Sequence, residues 1–224
     1  MISEKTALEY LNTAREHVKN HDYKGAFLRF IRAGCFFRES SDLVNSFERY
    51  NRTLQIADWL NSKEYKALVY SGFASYHRGT GDSNKFVQYL SESVKMHVSA
   101  AEELLARNPK PPSLIGSAVS EYSWASFCSF LLGEKELSES LAKKVVELSK
   151  TKRLRIWVRE LAKSCESLIS GRLEKAKTHW RKFQEKLSSS YLGETQYYEY
   201  VRIVENCFSI AKSGGKRCEP PLAV

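Results

Sequence analysis

Two histidines four residues apart are the first residues in this chain whose spacing could support chemistry. His17 and His21 would lie on one face of a helix, where two imidazoles can share a metal ion. A third ligand is not evident in the sequence, and a histidine at the end of a helix also interacts favourably with the helix dipole. We therefore predict no metal site here, and we expect structural or exposed roles for His77, His97 and His179.

A glycine-containing segment, Arg78-Gly-Thr-Gly-Asp-Ser-Asn-Lys85, could bring backbone amides close to a phosphate. It lacks the spacing of a phosphate-binding loop, and no strand precedes it. The segment is more typical of a turn between helices, with Asp82 or Ser83 capping the second helix.

Catalytic groups are equally sparse. Carboxylate pairs such as Glu102 and Glu103 lie on polar helix faces, where an ionised side chain needs no catalytic purpose. No Ser-His-Asp or Cys-His arrangement can be assigned from spacing, although a site assembled from distant residues would leave no such signal. We predict a non-enzymatic protein without a cofactor.

The strongest candidate for function is a basic stretch. Residues 143–186 contain fourteen Lys and Arg against five Asp and Glu, so their surplus of nine equals the net charge of the whole chain, +9. Charge at this density could contact nucleic-acid phosphates, an acidic protein segment or anionic lipid. A solvated basic face without a partner is the competing interpretation.

Helical periodicity indicates which of these basic side chains share a surface. In helix 153–170, an apolar stripe through Leu154, Trp157 and Leu161 would be buried, which places basic residues opposite it. The next helix buries Trp180 and its neighbours and leaves further basic residues around its flanks. The candidate face for an anionic partner consists of Arg155, Arg159, Lys163, Arg172, Lys175, Arg181 and Lys182.

Composition favours a cytoplasmic location. The N-terminus lacks the basic and apolar segments of an export signal, and no apolar run approaches the length of a transmembrane segment. Five widely spaced cysteines contain no C-x-x-C pair, and four of them fall on apolar helical stripes, as free thiols do in a reducing compartment.

The same periodicity predicts an all-α fold without strands. About ten helices are expected, with starts near residues 6, 22, 42, 63, 85, 113, 135, 153, 172 and 194. Three prolines at 109–112 predict a junction between N-terminal helical hairpins (1–108) and C-terminal hairpins carrying the basic face (113–212). Residues 213–224 have the composition of a disordered tail that folding does not require.

Part of the chain resembles a tetratricopeptide repeat. Asp22-Tyr23-Lys-Gly-Ala-Phe-Leu-Arg-Phe-Ile-Arg-Ala33, preceded by Tyr10 and Ala14, has the turn, the aromatic residue and the helix-contact residues of such a unit. Two later helices are similar, but their turns at Gly133 and Gly171 lie 38 residues apart rather than about 34. This degenerate pattern is similar to helical-hairpin adaptors such as the soluble attachment proteins of vesicle trafficking.

The resemblance implies stacked antiparallel helical hairpins in a right-handed α-solenoid that binds other proteins. We therefore expect a non-enzymatic interaction module or adaptor that presents a groove to a protein or peptide. The alternative is a nucleic-acid-binding protein that uses residues 143–186. A basic groove with exposed aromatic side chains would favour nucleic acid, whereas apolar and mixed-charge lining would favour a peptide.

Overall fold

The architecture was obtained as a computed structural model, which describes residues 4–188 and 198–213. In these two segments the chain forms ten α-helices and no strand, so the predicted all-α class is confirmed. The helices are α1 (Glu4–Lys19), α2 (Tyr23–Glu39), α3 (Leu43–Trp59), α4 (Lys63–Gly79), α5 (Ser83–Ala106), α6 (Pro112–Leu132), α7 (Lys135–Ser149), α8 (Ile156–Ile169), α9 (Leu173–Ser188) and α10 (Tyr198–Lys212).

Six of the connections between helices are the same short turn. Each has one residue in the left-handed conformation, and the next amide donates to a carbonyl five residues earlier, as in Asp22 N to His17 O at 2.9 Å. The left-handed positions are His21, Ser41, Asn61, Gly81, Gly133 and Gly171. The first four recur every twenty residues. This spacing differs from the period of about 34 residues in the tetratricopeptide repeat, which the sequence resembles.

The residue after each of these first four turns also begins the next helix. The side chains of Asp22, Asp42, Ser62 and Asp82 accept a hydrogen bond from the backbone amide three residues later, at 2.9 to 3.2 Å. One residue therefore ends the preceding helix and caps the following one, which sets the length of α2, α3 and α4 at 17 residues each.

Consecutive helices pack against each other from α1 to α9, as expected for helices joined by short connections. In addition, α2 contacts α4, and α6 contacts α8, so some helices also pack against the next helix but one. One cluster of buried apolar side chains extends from Ala7 in α1 to Cys207 in α10. The buried positions of Cys35, Cys128, Cys165 and Cys207 agree with the predicted apolar stripes.

The last helix departs from this sequential order. Its sequence position places α10 in the C-terminal region, but it packs against α2, α4 and α6 as well as α9. The helices α5 and α6 also pack against each other across the proline-containing connection. The division of the chain at 109–112 into N-terminal and C-terminal hairpins therefore stays a prediction. The predicted disordered tail, 213–224, lies outside the described residues from 214 onward.

No helix in the described segments is both long enough and apolar enough to cross a membrane.

Candidate functional site

The predicted basic side chains are all exposed, and we refer to these seven residues as the basic surface: Arg155, Arg159, Lys163, Arg172, Lys175, Arg181 and Lys182. The opposite face of α8 is buried at Val158, Leu161 and Cys165, as the helical period predicts. One boundary differs, because α8 begins at Ile156 and Arg155 occupies its N-cap position without capping it through a side-chain hydrogen bond.

Acidic neighbours reduce the charge of this surface at two positions. Lys163 Nζ lies 3.0 Å from Glu160 Oε1, and Arg172 Nη2 lies 2.7 Å from Glu166 Oε1. For the other five basic residues, no ion pair is formed with any residue that the structure describes. They are available to an anionic partner without the prior loss of an ion pair within the described segments.

Glu160 connects the two helices that carry the basic surface. Its Oε2 lies 2.7 Å from Nδ1 of His179 on α9, and its Oε1 accepts from Lys163 on its own helix. Burial opposes ionisation of this carboxyl group, but hydrogen bonds from His179 and Lys163 hold its pKa below the usual value. His179 is thus structural, as predicted, although its partner 19 residues away could not be read from the sequence.

A cleft of about 320 Å³ lies beside Arg155, where α4, α6 and the start of α8 meet. Its lining combines two basic residues, two acidic residues and apolar groups, and the residues that matter here are Arg153, Arg155, Trp157, Val158, Glu64 and Glu121. Neither Glu64 nor Glu121 was recognised from the sequence, because they lie far from α8 along the chain.

The walls of this cleft differ in character. Trp157 is half-buried, and its ring packs edge-on against Phe183 at a centroid distance of 6.2 Å, so the indole is mainly a packing group. Ile156 beside it is 62% exposed. On the acidic side, burial and the nearby charge of Glu121 raise the pKa of Glu64 to about 7.

The inner end of the cleft leads to a fully buried histidine. His97 Nδ1 lies 2.7 Å from Oε2 of Glu121, and its Nε2 lies 3.2 Å from the hydroxyl of Tyr200 on α10. The ring of Tyr200 stacks on Trp124 at a centroid distance of 4.2 Å. Since both imidazole nitrogens are engaged and the ring has no exposed surface, this Tyr-His-Glu series links α5, α6 and α10 rather than presenting a reactive group.

A second buried polar cluster holds the start of α10. Glu199, which is 1% exposed, accepts hydrogen bonds from Arg38 of α2, Tyr50 of α3 and the Cys35 thiol. Burial raises the pKa of both Tyr50 and Cys35, so they remain protonated donors. Burial also disfavours the charge of Arg38, but the groups around it, foremost the Glu199 carboxylate, together raise the arginine pKa.

The remaining chemical candidates have local structural roles. His17 Nδ1 lies 2.9 Å from Asp22 Oδ2, whereas His21 occupies a left-handed turn position, so the two imidazoles do not share a neighbour. Across the described parts of the chain, no group of three His, Cys, Asp or Glu side chains is arranged to hold a metal ion. The segment 78–85 forms the turn between α4 and α5, where Asp82 caps α5 as expected.

No protein-family model matches this chain, and comparisons with curated proteins and with solved structures give no significant match.

Proposed function

We propose that this chain is a non-enzymatic interaction module that binds an acidic segment of a protein partner. The segment would contact the basic surface of α8 and place an apolar side chain against Ile156 and the adjoining cleft. The observation that carries this proposal is the juxtaposition of exposed Arg155 and Arg159 with exposed Ile156 and a cleft lined by Trp157.

The mixed lining of the cleft favours a peptide over nucleic acid. A nucleic-acid backbone brings a series of phosphates, which Glu121 would repel, as would Glu64 once it ionises above about pH 7. A peptide instead offers amides and side chains of both polarities, and its carboxylates can pair with Arg155 and Arg159. Among the described residues of α8 and α9, Trp157 and Trp180 pack against Phe183 and therefore do not form a platform for base stacking.

The tetratricopeptide resemblance supports the same class of function. Helical-hairpin repeats use the surface formed by successive helices to bind partners, and the contacts of α2 with α4 and of α6 with α8 are in keeping with such stacking. Because α10 already covers parts of α2, α4 and α6, we assign the partner to α8 and its neighbour α9 rather than to a groove along the whole array.

Affinity capture from the native host tests this proposal. The wild-type protein is compared with the triple variant Arg155→Glu, Arg159→Glu, Lys163→Glu, before and after nuclease treatment. A matched control reverses three other exposed lysines, Lys5, Lys24 and Lys135, so that the net charge changes equally.

We expect a protein that the wild type and the control retain, that the triple variant loses, and that nuclease does not release. Retention that nuclease abolishes would favour the nucleic-acid alternative. A partner held equally by the triple variant would exclude the basic surface as the contact.

A further inference from the structure

A second basic site lies between α1 and α3. Both helices pack on α2, and a groove of about 640 Å³ runs between them. Four basic side chains and one acidic side chain line it: Arg15 and Lys19 from α1, and Glu48, Arg49 and Arg52 from α3. The sequence did not reveal this cluster, because basic and acidic residues balance outside 143–186.

Arg49 distinguishes this groove from an ordinary solvated patch. The residue is only 7% exposed, and its Nε is buried without a hydrogen-bond partner. Its guanidinium contacts the carboxylate of the preceding residue, Glu48, whose side chain is 65% exposed. A buried guanidinium is ordinarily fully hydrogen-bonded, so Arg49, which lines the groove and pairs with the exposed Glu48, can take a further acceptor there.

The neighbouring groups would favour an anion as that acceptor. Arg15 and Lys19 are exposed and form no ion pair with any residue in the described segments, so their charges remain available. Arg52 is positioned by a hydrogen bond of 2.9 Å to Gln55 and by the ring of Trp59, with its guanidinium carbon 5.2 Å from the ring centroid. Planar guanidinium groups pair with two oxygens of a phosphate at once.

The groove is larger than a phosphate ion and has apolar side chains beside its basic ones. A single phosphate ion would occupy a small part of about 640 Å³, and Val18 and Phe30 also line the groove. We propose that the groove between α1 and α3 binds a small phosphate ester. Its phosphate pairs with Arg49 and the flanking cations, while its organic part contacts Val18 and Phe30.

Calorimetric titration of the full chain with phenyl phosphate and with inorganic phosphate tests this assignment. The diagnostic variant is Arg15→Gln with Lys19→Gln, because both side chains are exposed and their loss leaves the core intact. The control is Lys110→Gln with Lys135→Gln, which removes the same charge from exposed positions outside both the groove and the basic surface. Arg49→Lys serves as a further variant that keeps the charge but removes the planar donor group.

We expect saturable binding of phenyl phosphate, and weaker binding of inorganic phosphate because it lacks the apolar contact. The double variant in the groove should weaken phenyl phosphate binding by about tenfold or more, since it removes two charge-assisted contacts, whereas the control should bind like the wild type. Arg49→Lys should also bind more weakly. Absence of saturable binding to the wild type, or equal affinity in the groove variant and the control, would overturn the proposal.

Discussion

The carboxylate of Glu199 accepts hydrogen bonds at 3.0 Å from Nη1 of Arg38, a residue 161 positions earlier in the chain. This contact joins the last helix, α10, to the second one, and both partners are almost completely removed from solvent. A charge pair of this kind stabilises a fold only when each partner remains satisfied. The position of α10 against α2 and α4 therefore depends on a contact between the two ends of the chain.

Replacing Glu199 with alanine should destabilise the protein strongly. The substitution leaves the buried guanidinium of Arg38 without its counter-charge and removes the acceptor of Tyr50, so we expect a loss of about 3–5 kcal/mol in the free energy of unfolding. Denaturant titration followed by circular dichroism measures it. The control Glu205→Ala lies on the exposed face of the same helix and should change stability by less than about 0.5 kcal/mol. Equal effects of the two substitutions would contradict this account of α10.

Trp180→Ala should remove a central packing element of the C-terminal helices. The indole is 5% exposed, stacks on Phe183 at 4.9 Å and meets Trp124 edge-on at 6.3 Å, so we expect a loss of about 3–5 kcal/mol. Thermal unfolding provides the measurement, with Trp59→Ala as the comparison because that side chain is 60% exposed. A melting curve unchanged by Trp180→Ala would mean that this stripe does not support the fold.

The cleft should make stability depend on pH through Glu64. Burial and the charge of Glu121 raise the pKa of Glu64 to about 7 from its usual value of 4.5. Between these two pH values the folded state keeps a proton that the unfolded state has already released. The stabilising contribution is complete below pH 4.5 and is lost as pH rises through about 7.

Glu64→Gln removes this dependence. Between about pH 5 and about pH 8, the wild type should lose about 1–2 kcal/mol more stability than the variant, after allowance for partial solvent screening. Urea unfolding at the two pH values gives the comparison, and exposed Glu102→Gln is the control. Parallel pH profiles for the wild type and Glu64→Gln would show that the carboxyl group has an ordinary pKa.

Asp42→Ala should weaken the turn that repeats every twenty residues. Asp42 Oδ1 accepts from the amide of Asn45 at 3.0 Å, and loss of such a cap costs about 1 kcal/mol. Asp42→Asn keeps an acceptor and should recover most of that stability in equilibrium unfolding. If alanine and asparagine behave alike, the capping interaction does not contribute to the folded state.

Local signals in the sequence were sufficient to predict the helices and the exposed face of α8. Asp22, Asp42 and Asp82 identify helix starts because a carboxylate caps free amides of the same helix. The apolar residues Leu161 and Cys165 recur at the helical period, which correctly predicts the buried face of α8. The predicted start of α8 at residue 153 is three residues too early, because Arg153 adopts a left-handed conformation before the helix.

Contacts between distant residues carried no such signal. Nothing in the spacing of Glu64, Glu121 and His97 indicates that they lie together, because the packing of α4, α5 and α6 creates their proximity. Similarly, the apolar period of α10 shows which of its faces is buried, but not that this face covers α2 and α4. The cleft and both buried polar clusters therefore required the tertiary structure.

The most direct test of the proposed function is the affinity of the triple variant Arg155→Glu, Arg159→Glu, Lys163→Glu for the acidic segment of the captured partner. Titration at low and high salt should show binding weakened by at least about tenfold and a flatter salt dependence, because the complementary charges are lost. The thermal unfolding temperature should fall only slightly, because Lys163→Glu removes the hydrogen bond to Glu160, whereas Arg155 and Arg159 are exposed charges that contribute little to stability. Undiminished affinity in a folded triple variant would contradict the assignment of the partner to the basic surface of α8.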